Sequence, residues 1–273
     1  MSMITPFLSY LSRFNKNIGT GFNTTPTMIN IQSNTRILIG GYFTNLNGTT
    51  RNYFVRLYSN GLVDTAFYSN LGTGFDSNVD HTIIQSDRKI VCGGLFNHLN
   101  GNVRLRILRL NENGTEDTAF YTNLGTSTNS GTTTLAIQST GKILVGGGFT
   151  TFNGNTRTRL IRLNSDGTED SAFYTNLGTS IDGMPYAETV QSNDQILIGG
   201  AFTHFNTNLR NRLIRLNSDG TEDTAFYANL GTSFDNSVGT VMLRPNGKIL
   251  VGGAFANFNG SACPELKVNL IFS

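Results

Sequence analysis

Four arginines recur at one interval, and their residue type makes them the best candidates in this sequence for binding a charged ligand. They open the same segment in successive repeats, at Arg51, Arg104, Arg157 and Arg210. A guanidinium group recognises carboxylate or phosphate through paired N–H donors, so the series predicts a surface that contacts anions or glycans. The alternative, which we favour, is structural ion pairing with acids one loop away, because a repeat copies its structural pairs together with its fold. The expected partners are Asp76, Asp182 and Asp235.

A second arginine series lies close to a glycine-containing turn. Its members each precede an aspartate by eight residues, as Arg56 precedes Asp64; the other pairs are Arg109 and Asp117, Arg162 and Asp170, and Arg215 and Asp223. If the intervening "SNG" or "SDG" turn is a three-residue hairpin loop with glycine in the left-handed conformation, each arginine faces its aspartate across the hairpin. We therefore predict structural cross-strand ion pairs.

Two histidines occupy the same repeat position two intervals apart. They are His98 and His204, and Thr151 stands at the equivalent position between them. A metal site requires further ligands that converge on the same point, and the sequence offers none. We expect exposed loop positions, with no metal and no cofactor. Together with the first arginine series, these histidines make up the candidate ligand or partner surface.

The acidic segment "NSDGTED" has a superficial likeness to a calcium loop through Asp166, Glu169 and Asp170. It lacks the alternating oxygen ligands and the distant bidentate glutamate of a helix-loop-helix calcium site. Its first copy, "YSNGLVD", keeps the turn glycine and Asp64 and loses the other acids. A hairpin turn explains what is kept, so we predict a turn and no calcium site.

Candidate catalytic groups are few. A glycosidase on this type of scaffold would place two carboxylates near a channel mouth, and only Asp80 and Glu188 lie on the predicted innermost strand. Cys92 falls in an apolar strand position, and Cys263 has no predicted catalytic partner. We expect no enzyme activity, no catalytic residue and no bound cofactor, with glycoside hydrolysis as a remote alternative.

The elements that position these residues are set by an internal repeat. The motif Gly-Gly-x-Phe occurs five times at a constant interval of 53 residues, ending at Phe43, Phe96, Phe149, Phe202 and Phe255. Within one interval we predict four antiparallel strands: strand A ("TLAIQS"), strand B ("KILVGGGF"), strand C ("RTRLIRL") and a short strand D ("DSAFY"). Asn-Gly and Asp-Gly turns supply the positive φ angles that tight hairpins need.

Four-stranded units of this size bury both faces only by radial stacking, so the sequence predicts an all-β, five-bladed β-propeller. Counting back one interval makes "RFNKNIGTGF" a strand D without its own strand C. At the other end, "LKVNLIF" stands in a strand C position. We therefore predict that residues 1–273 form one domain, closed by a last blade shared between residues 8–18 and 238–273.

Composition limits the partners. The formal net charge is +2 and 14% of residues are charged, which argues against nucleic acid. No run of 18 apolar residues occurs, so we predict no membrane insertion. Two cysteines are too few for a disulfide framework, and the first residues do not read as a secretion signal.

The repeat resembles a known family. The pattern "IQSTGKILVGGGF" followed by "RLIRLNSDGTEDSAF" is similar to the delta-60 repeat, a β-propeller repeat of bacterial surface or secreted proteins and of phage proteins. Its double glycine is also kelch-like, although the tryptophan of kelch repeats is absent. The resemblance covers essentially the entire chain. It implies a non-enzymatic propeller and carries over no catalytic or cofactor residue.

Composition and this resemblance together favour a structural or binding protein of a virion, such as a phage tail, fibre or capsid-decoration protein. Its partners would be other virion or surface proteins or a host-cell surface. An extracellular or cell-surface location is the alternative. The main functional alternative is a lectin-like propeller, in which five similar loop sets bind a repetitive host-cell glycan with avidity.

Overall fold

The computed structural model describes residues 13–262. The chain divides into two compact units, Met1–Tyr121 and Thr122–Ser273. The predicted last strand C, residues 8–12 and Cys263 lie outside the described residues. No helix in the described part of the chain combines the length and apolar character needed to cross a membrane.

The first unit contains two repeats, each built from five short strands and a helix. Its elements are α1 (residues 13–18), β1 (Pro26–Ile31), β2 (Ile37–Gly41), β3 (Asn45–Leu46), β4 (Thr49–Thr50), β5 (Phe54–Leu57), α2 (Thr65–Leu71), β6 (Val79–Ile84), β7 (Ile90–Gly94), β8 (His98–Leu99), β9 (Asn102–Val103), β10 (Ile107–Leu110) and α3 (Thr118–Leu124), within which the unit boundary falls.

The second unit continues the same order through the third, fourth and fifth repeats. Its elements are β11 (Thr132–Ile137), β12 (Ile143–Gly147), β13 (Thr151–Phe152), β14 (Asn155–Thr156), β15 (Leu160–Leu163), α4 (Ser171–Leu177), β16 (Pro185–Val190), β17 (Ile196–Gly200), β18 (His204–Phe205), β19 (Asn208–Leu209), β20 (Leu213–Leu216), α5 (Thr224–Leu230), β21 (Val238–Leu243), β22 (Ile249–Gly253), β23 (Asn257–Phe258) and β24 (Ser261–Ala262).

Each repeat is a small antiparallel sheet with a separate two-stranded hairpin. In the third repeat β12 is the central strand, paired with β11 on one side and β15 on the other, and β13 pairs with β14. The predicted strands A, B and C are therefore confirmed as sheet strands, and the B-to-C connection carries an additional hairpin. In the fifth repeat the described sheet consists of β21 and β22.

The predicted strand D is wrong, because the segment forms a helix. Asp170 lies at the N-cap of α4 and accepts a hydrogen bond from the backbone N–H of Phe173, as N-cap aspartates do. Phe173 and Leu177 stand four residues apart, so they share one helix face, and both are fully buried. The helix ends at Leu177 and is followed by the C-cap residue Gly178, whose positive φ of 71° suits a helix terminus.

The predicted closing strand at residues 8–18 is also wrong for residues 13–18, the part that the structure describes. Residues 13–18 are helical, and Phe14 stands one interval before Phe67 of α2, so α1 corresponds to the later helices. Each of the first four repeats therefore consists of three sheet strands, a hairpin and a helix, and not of four strands.

The double glycines allow neighbouring sheets to approach closely. A Cβ atom at Gly40 would lie 2.5 Å from the carbonyl oxygen of Val79 on β6, and one at Gly199 would lie 2.4 Å from the Val238 side chain on β21. The phenylalanine that completes the motif is buried in every repeat. The motif thus combines a close approach between sheets with a core side chain, and this explains its constant register.

Candidate ligand-binding loop end

Two loops meet at one end of the sheet in each repeat. One is the connection from the helix to the first strand of the next sheet, and the other is the two-stranded hairpin. Asp76 joins them, because its Oδ1 atom accepts the backbone N–H groups of Asn97 at 2.8 Å and His98 at 2.9 Å. Equivalent contacts are made by Asn23, Asn129, Asp182 and Asp235. We call these two loops the loop end of a repeat.

A second side chain fixes the same loops from the hairpin side. Asn153, at the turn between β13 and β14, has a positive φ of 50°, and Gly154 follows with 73°. Its Oδ1 atom accepts the Ser127 backbone N–H at 3.1 Å and the Thr126 hydroxyl at 3.2 Å. The same φ sign occurs at Asn47, Asn100, Asn206 and Asn259. The loop end is therefore a defined surface and not a set of unrestrained loops.

The first arginine series lies beside this end but is occupied by internal contacts. Arg157 stacks on the Tyr174 ring, 3.6 Å from its centroid, and its Nε atom donates to Glu169. The equivalent contacts are Arg104 with Tyr121 and Glu116, and Arg210 with Tyr227 and Glu222. The expectation of structural pairing is thus correct, whereas the predicted partners Asp76, Asp182 and Asp235 are wrong, since these carboxylates hold the loops.

Arg51 departs from its series. Its guanidinium lies 4.0 Å from the Tyr68 ring centroid and donates to the Thr50 carbonyl. Val63 stands where the other repeats have glutamate, and the buried Arg51 Nε atom has no hydrogen-bond partner among the described residues. All four arginines precede the third sheet strand rather than open it, because the hairpin takes up the residues before them.

The predicted histidines are partly exposed residues of the hairpin strands β8 and β18, and each contacts a loop aspartate. His98 Nδ1 lies 2.7 Å from Asp76 Oδ2, and His204 Nδ1 lies 3.0 Å from Asp182 Oδ2. Burial would raise the pKa of Asp76, but hydrogen bonds from the His98 ring and backbone outweigh it and hold that pKa below its usual value. The described residues contain no cluster of three or more potential metal ligands.

The second arginine series forms the predicted ion pairs. Arg162 Nη2 lies 2.9 Å from Asp170 Oδ2, and both side chains are buried. The same distance separates Arg56 from Asp64, Arg109 from Asp117 and Arg215 from Asp223. Each carboxylate also accepts the backbone N–H three residues later, so the pair anchors the helix start. The pair faces across a hairpin turn as predicted, since the Asp170 backbone N–H donates to the Arg162 carbonyl and Leu163 bridges Glu169. The same aspartate is also a helix N-cap, which the sequence did not predict.

The acids of "NSDGTED" have separate structural contacts. Asp166 Oδ1 accepts the Thr168 backbone N–H at 3.0 Å and hydroxyl at 2.7 Å. Glu169 accepts from Arg157, and Asp170 contacts Arg162. These contacts support the prediction of a turn.

The two carboxylates of the glycosidase alternative lie in different units. Asp80 accepts from the Asn78 amide, and burial raises its pKa. The carboxylate oxygens of Glu188 are buried beside Gly146 and lack a hydrogen bond of good geometry. Burial raises the pKa of Glu188 to about 7, and the nearby Thr134 hydroxyl lowers it by a smaller amount. Neither carboxylate forms an ion pair in the described chain.

Sequence reasoning missed two clefts at equivalent loop ends. In the first repeat the cleft is about 480 Å³ and is lined by Thr20, Gly21, Phe22, Asn23, Asn45 and Gly48. Four intervals later, an equivalent cleft of about 320 Å³ is lined by Asn211, Thr232, Ser233, Phe234, Asp235, Asn257 and Gly260. The sequence signal that could have indicated these clefts is the "GTG" or "GTS" segment that lines them, in which serine replaces glycine in three repeats.

A family model described as "Domain of unknown function (DUF5122) beta-propeller" matches residues 32–67, 85–120, 138–173, 191–226 and 244–266. None of the curated proteins matches the chain.

Similar solved structures include PorZ of Porphyromonas gingivalis, a bacterial surface component of the type-IX secretion system. It is 11% identical to this chain, and the match covers 88% of this chain and 33% of PorZ with a TM-score of 0.48. The WD40 β-propeller domain of Doa1 has 13% identity, coverages of 86% and 62%, and a TM-score of 0.47. The extracellular domain of BT3049, a hybrid two-component system from B. thetaiotaomicron, has 13% identity, coverages of 92% and 28%, and a TM-score of 0.39. The chain thus spans less than two thirds of each.

Proposed function

Because the chain belongs to the DUF5122 β-propeller family, we propose that it is a non-enzymatic binding module that contacts its partner through the loop ends of its repeats. One observation carries this proposal: an Asp or Asn side chain fixes the loop end in the same way in all five repeats. A surface that is held rigid and repeated offers several similar contacts to one partner.

The charged residues support binding rather than catalysis. The arginines near the loop end are stacked on tyrosines, and three of them are paired with glutamates. Catalytic groups need a nucleophile or base within hydrogen-bond reach of a partner that orients it. In the described chain the Glu188 carboxylate lacks a hydrogen bond of good geometry, and Cys92 is fully buried.

We place this binding module on a virion, as a tail, fibre or capsid-decoration protein, with an extracellular or cell surface as the alternative location. The support is compositional: the chain has a low charged fraction of 14%, two cysteines and abundant glycine, together with its repeated polar loops. Mass spectrometry of purified particles tests the location. The peptides should be enriched in particles, and their confinement to the soluble lysate would refute it.

A steric block tests the use of the loop ends. On a Cys263→Ser background, Thr49→Cys places a single reactive thiol on the exposed β4 hairpin strand, and Ser192→Cys places one in the exposed turn after β16. A polyethylene glycol maleimide attached at position 49 should block attachment to particles or cells of the source organism. The same label at position 192 should not. Equal attachment of both conjugates would contradict the proposal.

A lectin-like module is the second candidate function. The equivalent clefts in the first and fifth repeats favour it, because ligand sites are concave and carry a few convergent polar groups. This candidate and a virion location are compatible.

A further inference from the structure

We propose that the loop-end clefts bind a neutral saccharide, an inference that rests on the proposed binding function and specifies its ligand class. The clefts of the first and fifth repeats have volumes of about 480 and 320 Å³. Both values lie within the range of about 300–1,000 Å³ that is common for small-molecule sites.

The lining groups select against a charged ligand. Among the described lining residues of both clefts there is no lysine or arginine, so an anion would find no opposite charge. The first-repeat cleft has Asn23 where the fifth has Asp235, which leaves the first without an acid. In the fifth, the Asp235 oxygens accept the Ala256 and Asn257 backbone N–H groups and the Asn257 amide. A neutral ligand suits both clefts.

The same lining offers what a polyhydroxylated ring requires. The Asn45 or Asn257 amide both donates and accepts hydrogen bonds, as does a threonine hydroxyl. The partly exposed Phe22 ring adds an apolar wall for the C–H groups of a sugar in the first-repeat cleft, and the edge of the more deeply buried Phe234 lines the fifth-repeat cleft. Amides, hydroxyls and one aromatic ring in a shallow cleft therefore favour a saccharide over an apolar or ionic ligand.

A serine in three repeats provides an independent observation. Ser127, Ser180 and Ser233 have φ values of 62°, 68° and 63°, whereas the first two repeats have glycine at this position. Glycine adopts the left-handed region more readily than serine does, so serine at this position carries a conformational cost.

These hydroxyls have few internal roles. Ser233 lines the fifth-repeat cleft and donates to the Asn211 carbonyl at 2.7 Å. The residues Ser127 and Ser180 are 3% exposed, and their Oγ atoms have no hydrogen-bond partner among the described residues. Buried polar atoms normally have a partner. Of the three serines, Ser233 lines a described cleft, and we assign the acceptor capacity of its hydroxyl to a ligand bound there. Ser127 and Ser180 occupy the equivalent position in their own repeats.

The test is a glycan array with a variant that the fold already accepts. The triple variant Ser127→Gly, Ser180→Gly, Ser233→Gly gives every repeat the glycine of the first two. The array carries oligosaccharides that end in glucose, mannose, galactose or N-acetylglucosamine, beside sialylated and sulfated ones. The wild type should bind neutral glycans, and the triple variant should need at least tenfold more protein for half-maximal signal. The matched control, Ser192→Gly in an exposed turn at the other end of the sheet, should bind like the wild type.

The reverse substitution gives a second readout. A Cβ atom at Gly21 would meet nothing within 4 Å, although the φ of 78° strains a serine there, as it does in the three serine repeats. Gly21→Ser adds the hydroxyl to the first-repeat cleft, and we expect severalfold stronger binding. Absence of neutral-glycan binding, a preference for acidic glycans, or neutral binding unchanged by the triple substitution overturns the saccharide proposal. If the label at position 49 still blocks attachment, the proposed binding function survives that result. If it does not block attachment, the binding function itself fails.

Discussion

Arg162 and Asp170 form a buried ion pair, and the Asp170 carboxylate also caps the N-terminus of helix α4. Asp170 Oδ2 lies 2.9 Å from Arg162 Nη2, while Asp170 Oδ1 accepts the Phe173 backbone N–H. Arg162 also stacks over the Phe173 ring at 4.1 Å from its centroid. A single aspartate therefore fixes the third sheet strand, the helix start and a core phenylalanine together.

Substitutions at Asp170 should separate these roles. Asp170→Asn keeps an N-cap acceptor and removes the charge, so the buried Arg162 loses its carboxylate partner and the free energy of unfolding should fall by about 3 kcal/mol. Asp170→Ala also removes the cap and should cost about 1 kcal/mol more. Urea unfolding measures both.

The fourth repeat supplies a comparison for this pair. Arg215 is 20% exposed, compared with 7% for Arg162, and Gln195 contacts Asp223 where Lys142 contacts Asp170. Asp223→Asn should therefore cost less than Asp170→Asn, because water partly solvates the remaining Arg215 charge and no second cation loses its partner. Equal losses at the two sites would argue against both causes.

Glu188 should make the stability depend on pH. Its pKa in the folded chain is raised from 4.5 to about 7 by burial, so the folded state holds a proton that the unfolded state has released. Stability should therefore fall as pH rises from about 4.5 to about 7 and then level off, by up to about 3 kcal/mol. No other carboxyl, lysine, arginine or histidine lies on the neighbouring strands β11, β12 and β17.

Glu188→Gln removes the titration and tests this directly. The difference between variant and wild type in urea unfolding should be small at pH 5 and should favour the variant at pH 8. The capping aspartates, whose pKa values are lowered, act in both proteins and cancel in the difference. A difference that is constant across this range would refute the assignment.

Two substitutions at Asn153 should separate the stability contribution of its side chain from that of its left-handed backbone conformation. Asn153→Gly keeps the left-handed turn and loses the acceptor for Ser127 and Thr126, which should lower the free energy of unfolding by about 1–2 kcal/mol. Asn153→Ala loses the same bonds and adds left-handed strain of about 1 kcal/mol. Thermal or urea unfolding of the pair checks the order; alanine as the milder change would contradict it.

Cys92 should be unreactive in the folded protein. It is fully buried, and burial raises the pKa of its thiol, which disfavours the reactive thiolate. On a Cys263→Ser background, Ellman's reagent should modify no thiol under native conditions and one thiol in urea. Rapid native labelling would show that strand β7 opens far more readily than its burial suggests.

The sequence was informative where a constant interval carried the signal. The double glycines and the following phenylalanine fixed the register of the strands, and Arg162 and Asp170 were paired correctly from their separation alone. The helix was missed because "DSAFY" contains aromatic residues that favour strands. Its helical signals were an aspartate N-cap, Phe173 and Leu177 four residues apart, and Gly178 at the end.

The loop end was harder to predict, because its partners lie far apart in sequence. Asp182 was assigned to an arginine from proximity along the repeat, but it binds the backbone N–H groups of Thr203 and His204. Glu169 is the carboxylate that contacts Arg157, whereas the sequence analysis considers it only as part of a calcium-like segment. A cleft depends on how two loops fold against each other, and residue spacing does not encode that shape.

Successive repeats are also linked through their helices. The Asn176 amide at the end of α4 donates to the Asp219 carbonyl in the next repeat at 3.0 Å, and a Cβ atom at Gly220 would lie 2.7 Å from the Phe173 ring. Asn70 makes the same contact with Asn113 in the first unit. An isolated 53-residue segment therefore lacks one side of its own helix packing, and gene duplication could extend this protein only by adding modules already shaped to fit their predecessor.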